Sequence, residues 1–395
     1  MPLPLYLLAL AVFAMGTSEF MLAGLLPDIA ASLDVSVATA GLLTSAFAVG
    51  MVVGAPLMAA LARRWPARHT LLAFIAASAA THIIAALTSN FTILLLTRIL
   101  AALANAGFLA VALTTAATLV AADRKGRALA VLLSGTTAAT IAGVPGGALL
   151  GTLLDWRATF WAIAILCLPA ALGILKGIPT RSIHSESDTA PGLRSELAQL
   201  ARPRLILVMS LGALVNAATF GTFMFLAPIV TDTASLPDLW ISVVLVVFGL
   251  GSFLGVNLAG RLSDARPGLV IAIAGPLQLL GWIALALLAT EPLALLALTF
   301  TQGVLSFALG STLIARVLYA ASGAPTMGGS YATAALNVGA ALGPIAAGAT
   351  LTAGHGDLGP VWASTVLVGL ALAIALVSRR ALTSQAPERL SSAGR

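Results

Sequence analysis

Charge is the scarcest commodity in this 395-residue sequence: Asp, Glu, Lys and Arg together make up 9%. A soluble domain carries about 25%, so so few charges cannot cover a water-facing surface of this size. Hydrophobic residues fill 59% of the chain and the mean hydropathy is +1.04. Such a composition calls for lipid as the solvent. Cysteine is nearly absent. Cys167 stands alone in the apolar run 162–171, which excludes an internal disulfide and a cysteine-based metal site, and it reads as a small buried hydrophobe. The four histidines, His69, His82, His184 and His355, scatter and form no metal motif. Also missing are G-x-x-x-x-G-K-[ST], H-E-x-x-H and G-x-S-x-G, so nothing points to ATP hydrolysis by a phosphate loop, to a zinc peptidase or to a serine hydrolase. No cofactor is implied. No Lys or Arg precedes the first apolar stretch, which therefore reads as a retained span rather than a cleaved leader.

What is present is long apolar runs. A membrane-spanning helix needs about 20 mostly apolar residues. Twelve runs qualify: 4–26, 40–62, 70–88, 91–119, 128–153, 158–175, 204–230, 239–261, 268–289, 292–318, 326–352 and 359–378. The longest polar stretch, 176–203, separates six runs from six. The sequence therefore predicts an all-α membrane protein of two six-helix bundles, 1–175 and 204–380, with a linker at 176–203 that carries a short surface helix near its end and a tail at 381–395.

The net charge of +6 is a topology signal rather than a nucleic-acid footprint. With both termini in the cytoplasm, all 20 basic residues except Arg98 and Arg157 fall on the cytoplasmic side, while Asp28, Asp34, Asp155, Asp232, Asp238, Glu291 and Asp357 fall outside. The halves echo one another. At an offset of 201, Gly50 aligns with Gly251, Gly54 with Gly255, Leu57 with Leu258 and Leu61 with Leu262; near an offset of 200, the Gly143, Pro145, Gly147, Gly151 series of the fifth run matches Gly339, Gly343, Pro344 and Gly348 of the eleventh. Two repeats about a central site are transporter architecture.

Two ionisable residues lie well inside runs, Glu19 in the first and Arg98 in the fourth. A charge in the bilayer costs at least about 2.5–3.5 kcal/mol, so it faces a cavity or a partner. At 1.5 Å per residue both sit about 10–12 Å from the outer face. They fit a proton site, because burial favours a neutral carboxyl and a guanidinium favours the charged one. The alternative is a permanent pair tying two helices, a weaker reading because buried pairs often add little stability. Asp28, just past Pro27, is a weaker coupling candidate that reads first as a solvated acid. Gly143, Gly147 and Gly151 recur every four residues and form a stripe for close helix approach, and Pro145 adds a bend. Buried amides and rings are the candidates for substrate contact: Asn105, Asn216, Asn257, Gln278, Gln302, Asn337 and Tyr331, with Phe108, Phe220, Phe223 and Phe225. Of these Asn105, Asn216, Phe223 and Asn337 are favoured.

With these residues in view, the chain resembles the major facilitator superfamily, and within it the twelve-helix drug:proton antiporters. The loop signature of that family after its second helix, roughly G-x-L-x-D-R-x-G-R-R, is degraded in ALARRWPARH (60–69), where Arg63 replaces the acid and Pro66 the glycine; Gly260, Leu262 and Asp264 keep it better in the second half. The resemblance implies proton translocation at Arg98, export through the helix 5 glycine–proline motif, and inner gating at Asp264. The segment LAVFAMGTSEFMLAGLLPDIA (10–30) is similar to actinobacterial chloramphenicol-resistance exporters. The expectation is thus a proton-driven exporter of a small amphipathic drug, most simply chloramphenicol, in the inner membrane, with Glu19 as proton carrier, no nucleic-acid partner and no obligate protein partner. Export of sugars or other metabolites is the same-class alternative, and a channel is the alternative of another class.

Overall fold

The computed structural model describes residues 2–61, 66–121, 125–178, 193–262, 267–324 and 327–378. Twelve helices in it are long and apolar enough to cross a membrane. Helices 1 to 6 are Leu3–Phe20, Val37–Leu61, Ala67–Leu87, Phe91–Thr118, the broken pair Lys125–Ala138 and Val144–Leu153, and Trp156–Gly177. Helices 7 to 12 are Pro203–Phe223, Leu239–Leu262, Pro267–Leu288, Pro292–Ala320, Gly328–Thr352 and Gly359–Val377. No strand occurs among the described residues. Helix starts follow ordinary rules. Proline stands in the first turn of helices 7, 10 and 12, where its missing N–H costs nothing. Asn90 caps helix 4 by accepting from the Ile93 amide at 3.2 Å, and Asp155 caps helix 6 by accepting from the Arg157 amide at 2.7 Å. Leu168, Leu172, Leu277, Leu280 and Val366 point outward and are exposed, a surface that only lipid can solvate.

Three helices depart from regularity. Helix 1 tightens into a 3-10 turn at Met21–Gly24 before the short helix Leu26–Ser32, and helix 7 breaks at the matching place, between Phe223 and the short helix Leu226–Pro228. Helix 5 widens into a π-turn at Ala139–Gly143, directly before Pro145. The proline removes an amide from the ladder and the wider turn takes up the register. The linker ends in a short helix, Leu193–Leu197, whose Glu196 accepts a hydrogen bond from the Met327 amide at 2.8 Å and so ties the linker to the start of helix 11. Asp264 and the basic loop residues Arg63, Arg64, Arg124 and Arg266 lie outside the described residues.

The repeat is visible in the contacts. A side chain at Gly50 would strike Ile99 and Ala102 on helix 4, and one at Gly54 would strike Leu103 and Ala106. In the second half Gly251 meets Phe300 and Gly255 meets Val304 and Ala308 on helix 10. Ile99 and Phe300, like Leu103 and Val304, are 201 positions apart, the same offset as the glycines. Helices 5 and 11 repeat at a slightly different spacing. Gly135 lies on Ala9 O and 2.9 Å from Phe13 N, counted from an added Cβ, and Gly339 lies on Ala213 O and 2.9 Å from Ala217 N. All three pairs are 204 positions apart. Glycine serves here because backbone meets backbone.

The halves join asymmetrically along their length. At the end remote from the chain termini one continuous core contains residues of both, including Leu25, Leu43, Phe220, Phe225, Leu245 and Ala341. At the termini end each half has its own core, one around Leu5, Ile75 and Phe108, the other around Leu205, Leu313 and Val317. The crevice between the halves therefore opens toward the termini.

Candidate functional site

Glu19 is the penultimate residue of helix 1, just before the helix tightens, and is partly exposed where the halves meet. Its Oε2 accepts a hydrogen bond from Asn105 Nδ2 of helix 4 at 3.4 Å. Arg98, two turns earlier on helix 4, is 1% exposed. Its Nη1 donates to Ser18 Oγ at 3.0 Å, its Nη2 donates to Ser18 O at 2.6 Å, and its guanidinium lies 4.7 Å from the centre of the Phe47 ring. Its Nε has no hydrogen-bond partner. Glu19 and Arg98 therefore flank the same turn of helix 1 without forming a salt bridge within 4.0 Å. The permanent clamp that the sequence left open is not made in this conformation. A buried guanidinium held by two neutral acceptors and one ring is incompletely compensated, a condition suited to a charge that changes partner.

His82 of helix 3 completes the cluster and was passed over in the sequence because an isolated histidine in an apolar run carries no spacing signal. It is 2% exposed, with Nε2 2.7 Å from Ser18 Oγ and Nδ1 2.7 Å from Ser78 O.

Across the crevice an aromatic chain begins beside Glu19. Phe20 stacks on Phe220 of helix 7 at 5.3 Å, Phe220 meets Phe223 edge-on at 5.9 Å, Phe223 meets Phe248 of helix 8 at 4.6 Å, and Phe248 meets Phe307 of helix 10 at 6.0 Å. Such pairs offer flat faces to an aryl group. Sequence reasoning named Phe220 and Phe223 but not Phe20, which stands next to the conspicuous acid. Phe108 is fully buried in the core of the first half. Asn216 donates to Leu336 O of helix 11 at 2.7 Å, Asn337 donates to Thr333 O of its own helix at 3.0 Å, and Asn257 is exposed and donates to Phe253 O at 2.7 Å. Gln278 and Gln302 link helices 9 and 10 through Ser306 Oγ and Gln278 O. Tyr331 donates to Glu196 O, on the linker helix.

Asp28 is exposed on the short helix Leu26–Ser32. Partial burial, then Asp238 and Asp155, push its carboxyl above the ordinary value of 3.8. Its charged neighbours are thus loop acids. The glycine stripe of helix 5 packs along helix 1 in register: Gly143 on Thr17, Gly147 on Met21 and on Thr159 of helix 6, and Gly151 on Leu25. The π-turn in turn receives helix 8, because Gly249 lies against Thr140 O and Ile141 Cα. Helix 2 meets helix 11 through Ser45 Oγ, which donates to Ala341 O at 2.7 Å.

The sequence pattern of the Major Facilitator Superfamily matches residues 8–344. A "Chloramphenicol resistance protein" of Streptomyces lividans is 68% identical over 387 residues, 98% of this chain and 99% of that one. The "Inner membrane transport protein YdhP" of Escherichia coli K12 is 33% identical over 380 residues, 95% of this chain and 96% of that one. Among solved structures, a bacterial homologue of the human lysosomal transporter Spinster superposes with a TM-score of 0.74 at 17% identity, covering 98% of this chain and 100% of its own. Twelve spans in two repeated halves, a crevice between them and a sequence match over most of the length place this multi-pass membrane chain in the major facilitator superfamily.

Proposed function

We propose that the chain exports a small amphipathic drug, chloramphenicol, across the inner membrane in exchange for protons. The observation that carries the substrate is the 68% identity to the Streptomyces protein along 98% of the chain. Identity of that depth over nearly the whole of both chains supports a shared substrate as well as a shared fold. In this reading Glu19 carries the proton and Arg98 sets its affinity, with Asn105 orienting the carboxylate. The rings of Phe20, Phe220 and Phe223 take the aryl group, and Asn216 and Asn337 offer the amide oxygens that their backbone contacts leave free.

The distribution of Lys and Arg puts both termini in the cytoplasm, so the crevice opens inward here. Residues 1–175 and 204–380 are the two bodies that rock, with 176–203 as the linker and 381–395 as the tail. The glycine contacts of helix 5 with helices 1 and 8 let the bodies pivot closely, and Asp264 belongs to the inner gate. Asp28 remains a solvated acid in this scheme. One proton moving down about 150 mV supplies about 3.5 kcal/mol, enough for a gradient of roughly a few hundred-fold in a neutral drug.

The test is accumulation of radiolabelled chloramphenicol in energised cells expressing the chain, with and without a protonophore. Low accumulation that rises when the gradient collapses is the expected result. Accumulation equal to empty-vector cells in both conditions refutes the drug assignment, and labelled sugars are then the next substrates to try.

A further inference from the structure

His82 is a buried titratable group to which the exchange scheme gives no task, and its hydrogen bonds have a fixed polarity. The Ser78 carbonyl can only accept, so Nδ1 carries the ring proton at the 2.7 Å contact. Arg98 can only donate, so Nη1 occupies a lone pair of Ser18 Oγ at 3.0 Å. With one proton on the ring, the 2.7 Å contact between Ser18 Oγ and Nε2 is made by the serine hydroxyl donating to the ring nitrogen. Each of these contacts then joins one donor to one acceptor. A second ring proton reverses the last bond. Nε2 becomes a donor, and the Ser18 oxygen faces an imidazolium and a guanidinium together inside a site where His82 and Arg98 are 2% and 1% exposed. Two cations sharing one buried neutral oxygen repel strongly.

We propose that His82 is a positioning residue for Arg98: singly protonated it orients the Ser18 hydroxyl so that Arg98 docks on Ser18, and a proton taken up at Nε2 undocks Arg98 and turns it toward Glu19. The proton comes from a hydronium ion of the solvent, whose O–H bond breaks as the N–H bond forms and which leaves as water; the Ser18 hydroxyl rotates away. The groups that bear on His82 come from each packed element. Ser18 and, one residue on, Glu19 stand on helix 1. Arg98 stands on helix 4. Helix 6 presents Phe160, whose ring centre is 6.0 Å from the imidazole, and carries the buried Cys167. The pseudo-symmetric place in the second half holds no such device. Offsets of 201 and 204 bring Thr299 and Thr222 to the positions of Arg98 and Ser18, and Trp282 lies within one residue of the counterpart of His82; all three are buried and uncharged. The relay thus belongs to one half alone.

The proposal rests on the reading of Glu19 and Arg98 as the proton-coupling pair, and the experiment separates the two. The full chain, labelled with 15N at histidine and arginine, is placed in lipid nanodiscs, and His82 is assigned by the signal lost in His82→Gln. At neutral pH the expected tautomer is Nδ1–H. On acidification the imidazolium signal and a change in the Arg98 guanidinium signal are expected to share one midpoint. An Nε2–H tautomer, or protonation of His82 with the Arg98 signal unmoved, overturns the proposal. In proteoliposomes, His82→Gln keeps a donor for Ser78 O and an acceptor for Ser18 but takes up no proton. Its pH-gradient-driven uptake of radiolabelled chloramphenicol should fall about tenfold or more, the scale set by misplacing an essential group, and its pH profile should lose a limb. Gradient-driven uptake equal to that of the unaltered protein across the pH range also overturns it. If the unaltered protein shows no gradient-driven uptake, the coupling reading fails, while the two spectra still decide whether His82 controls Arg98.

Discussion

A methyl group added at Gly143 has no room. Built on the existing backbone, the Cβ of Gly143→Ala falls on Thr17 Oγ1, 3.0 Å from Thr17 Cβ and 3.1 Å from Thr17 Cγ2. Carbon atoms in comfortable contact sit about 3.5–4.0 Å apart, so the shortfall is about 0.5–1 Å. Rotation of Thr17 does not relieve it, since the Cβ position is set by the backbone of helix 1. The helices must part, and the neighbouring contacts of Gly147 and Gly151 along the same stripe resist. Overpacking of this kind costs about 1–3 kcal/mol, offset by up to about 1 kcal/mol from the better helix propensity of alanine. The net expectation is a loss of about 1–2 kcal/mol. Thr17→Ala removes two of the three clashing atoms, along with a 2.8 Å hydrogen bond to Phe13 O of its own helix. The double variant should therefore be more stable than the sum of the singles by about 1 kcal/mol or more. Thermal unfolding of the four purified proteins in one detergent measures this. Because Gly249 of helix 8 rests on the adjacent π-turn, drug export should fall in Gly143→Ala and recover in the double variant. Strict additivity of the two substitutions would refute the claim that Gly143 is kept small by Thr17.

Glu19→Gln should reduce the energised chloramphenicol gradient from roughly a few hundred-fold, the limit for one proton, to none while leaving the protein folded; normal resistance in cells carrying it would sink the proton-carrier role. Phe220→Ala removes the ring that joins Phe20 to Phe223 and should weaken drug binding by about 1 kcal/mol, or roughly five-fold in KM, measured by transport kinetics in proteoliposomes; an unchanged KM would place the drug elsewhere. Asp28 binds its proton more tightly in the folded state than in the unfolded chain, through burial first and then Asp238 and Asp155. That favours folding fully below the ordinary value of 3.8 and is lost as pH rises through the folded value. Asp28→Asn should accordingly raise Tm at neutral pH with the gain fading toward about pH 4, and a gain that persists in acid would contradict the assignment.

The spans were legible because lipid imposes a length and a hydrophobicity that few other structures share. The twelve runs read from sequence match the twelve helices to within several residues at each end. The repeat was legible at Gly50 and Gly251 because backbone contact leaves no choice but glycine. The breaks in helices 1 and 7 were hidden, since Phe20 to Leu26 and Phe223 to Leu226 are as apolar as their surroundings and Pro27 and Pro228 follow each break rather than mark it. The π-turn in helix 5 was half legible: Pro145 announced a disturbance, but its form depends on register. In the site, Glu19 and Arg98 stood out through the cost of charge in the bilayer. Ser18, Phe20 and His82 did not, because their meaning lies in contacts between residues 64 or more positions apart. Asn216 and Asn337 show the converse, since a buried amide looks alike in sequence whether it faces a substrate or a neighbouring carbonyl.

The single core shared by the two halves acts as a counterweight. It joins the halves at one end, so the apolar contacts that cross from one half to the other would be lost in an alternating-access state in which that end opens. Phe225 is fully buried there, its ring filling the space left by Gly41 of helix 2. Removing a buried phenylalanine costs about 3–5 kcal/mol, and in the proposed rocking scheme the part of that loss made against helix 2 falls on one side of the equilibrium. Each ~1.4 kcal/mol of that part would shift the populations of the two states by about a factor of ten without any change in a charged group. In the proposed exchange scheme the resting orientation is therefore set in part by apolar contact between the halves, separately from the charged groups on which the proton acts.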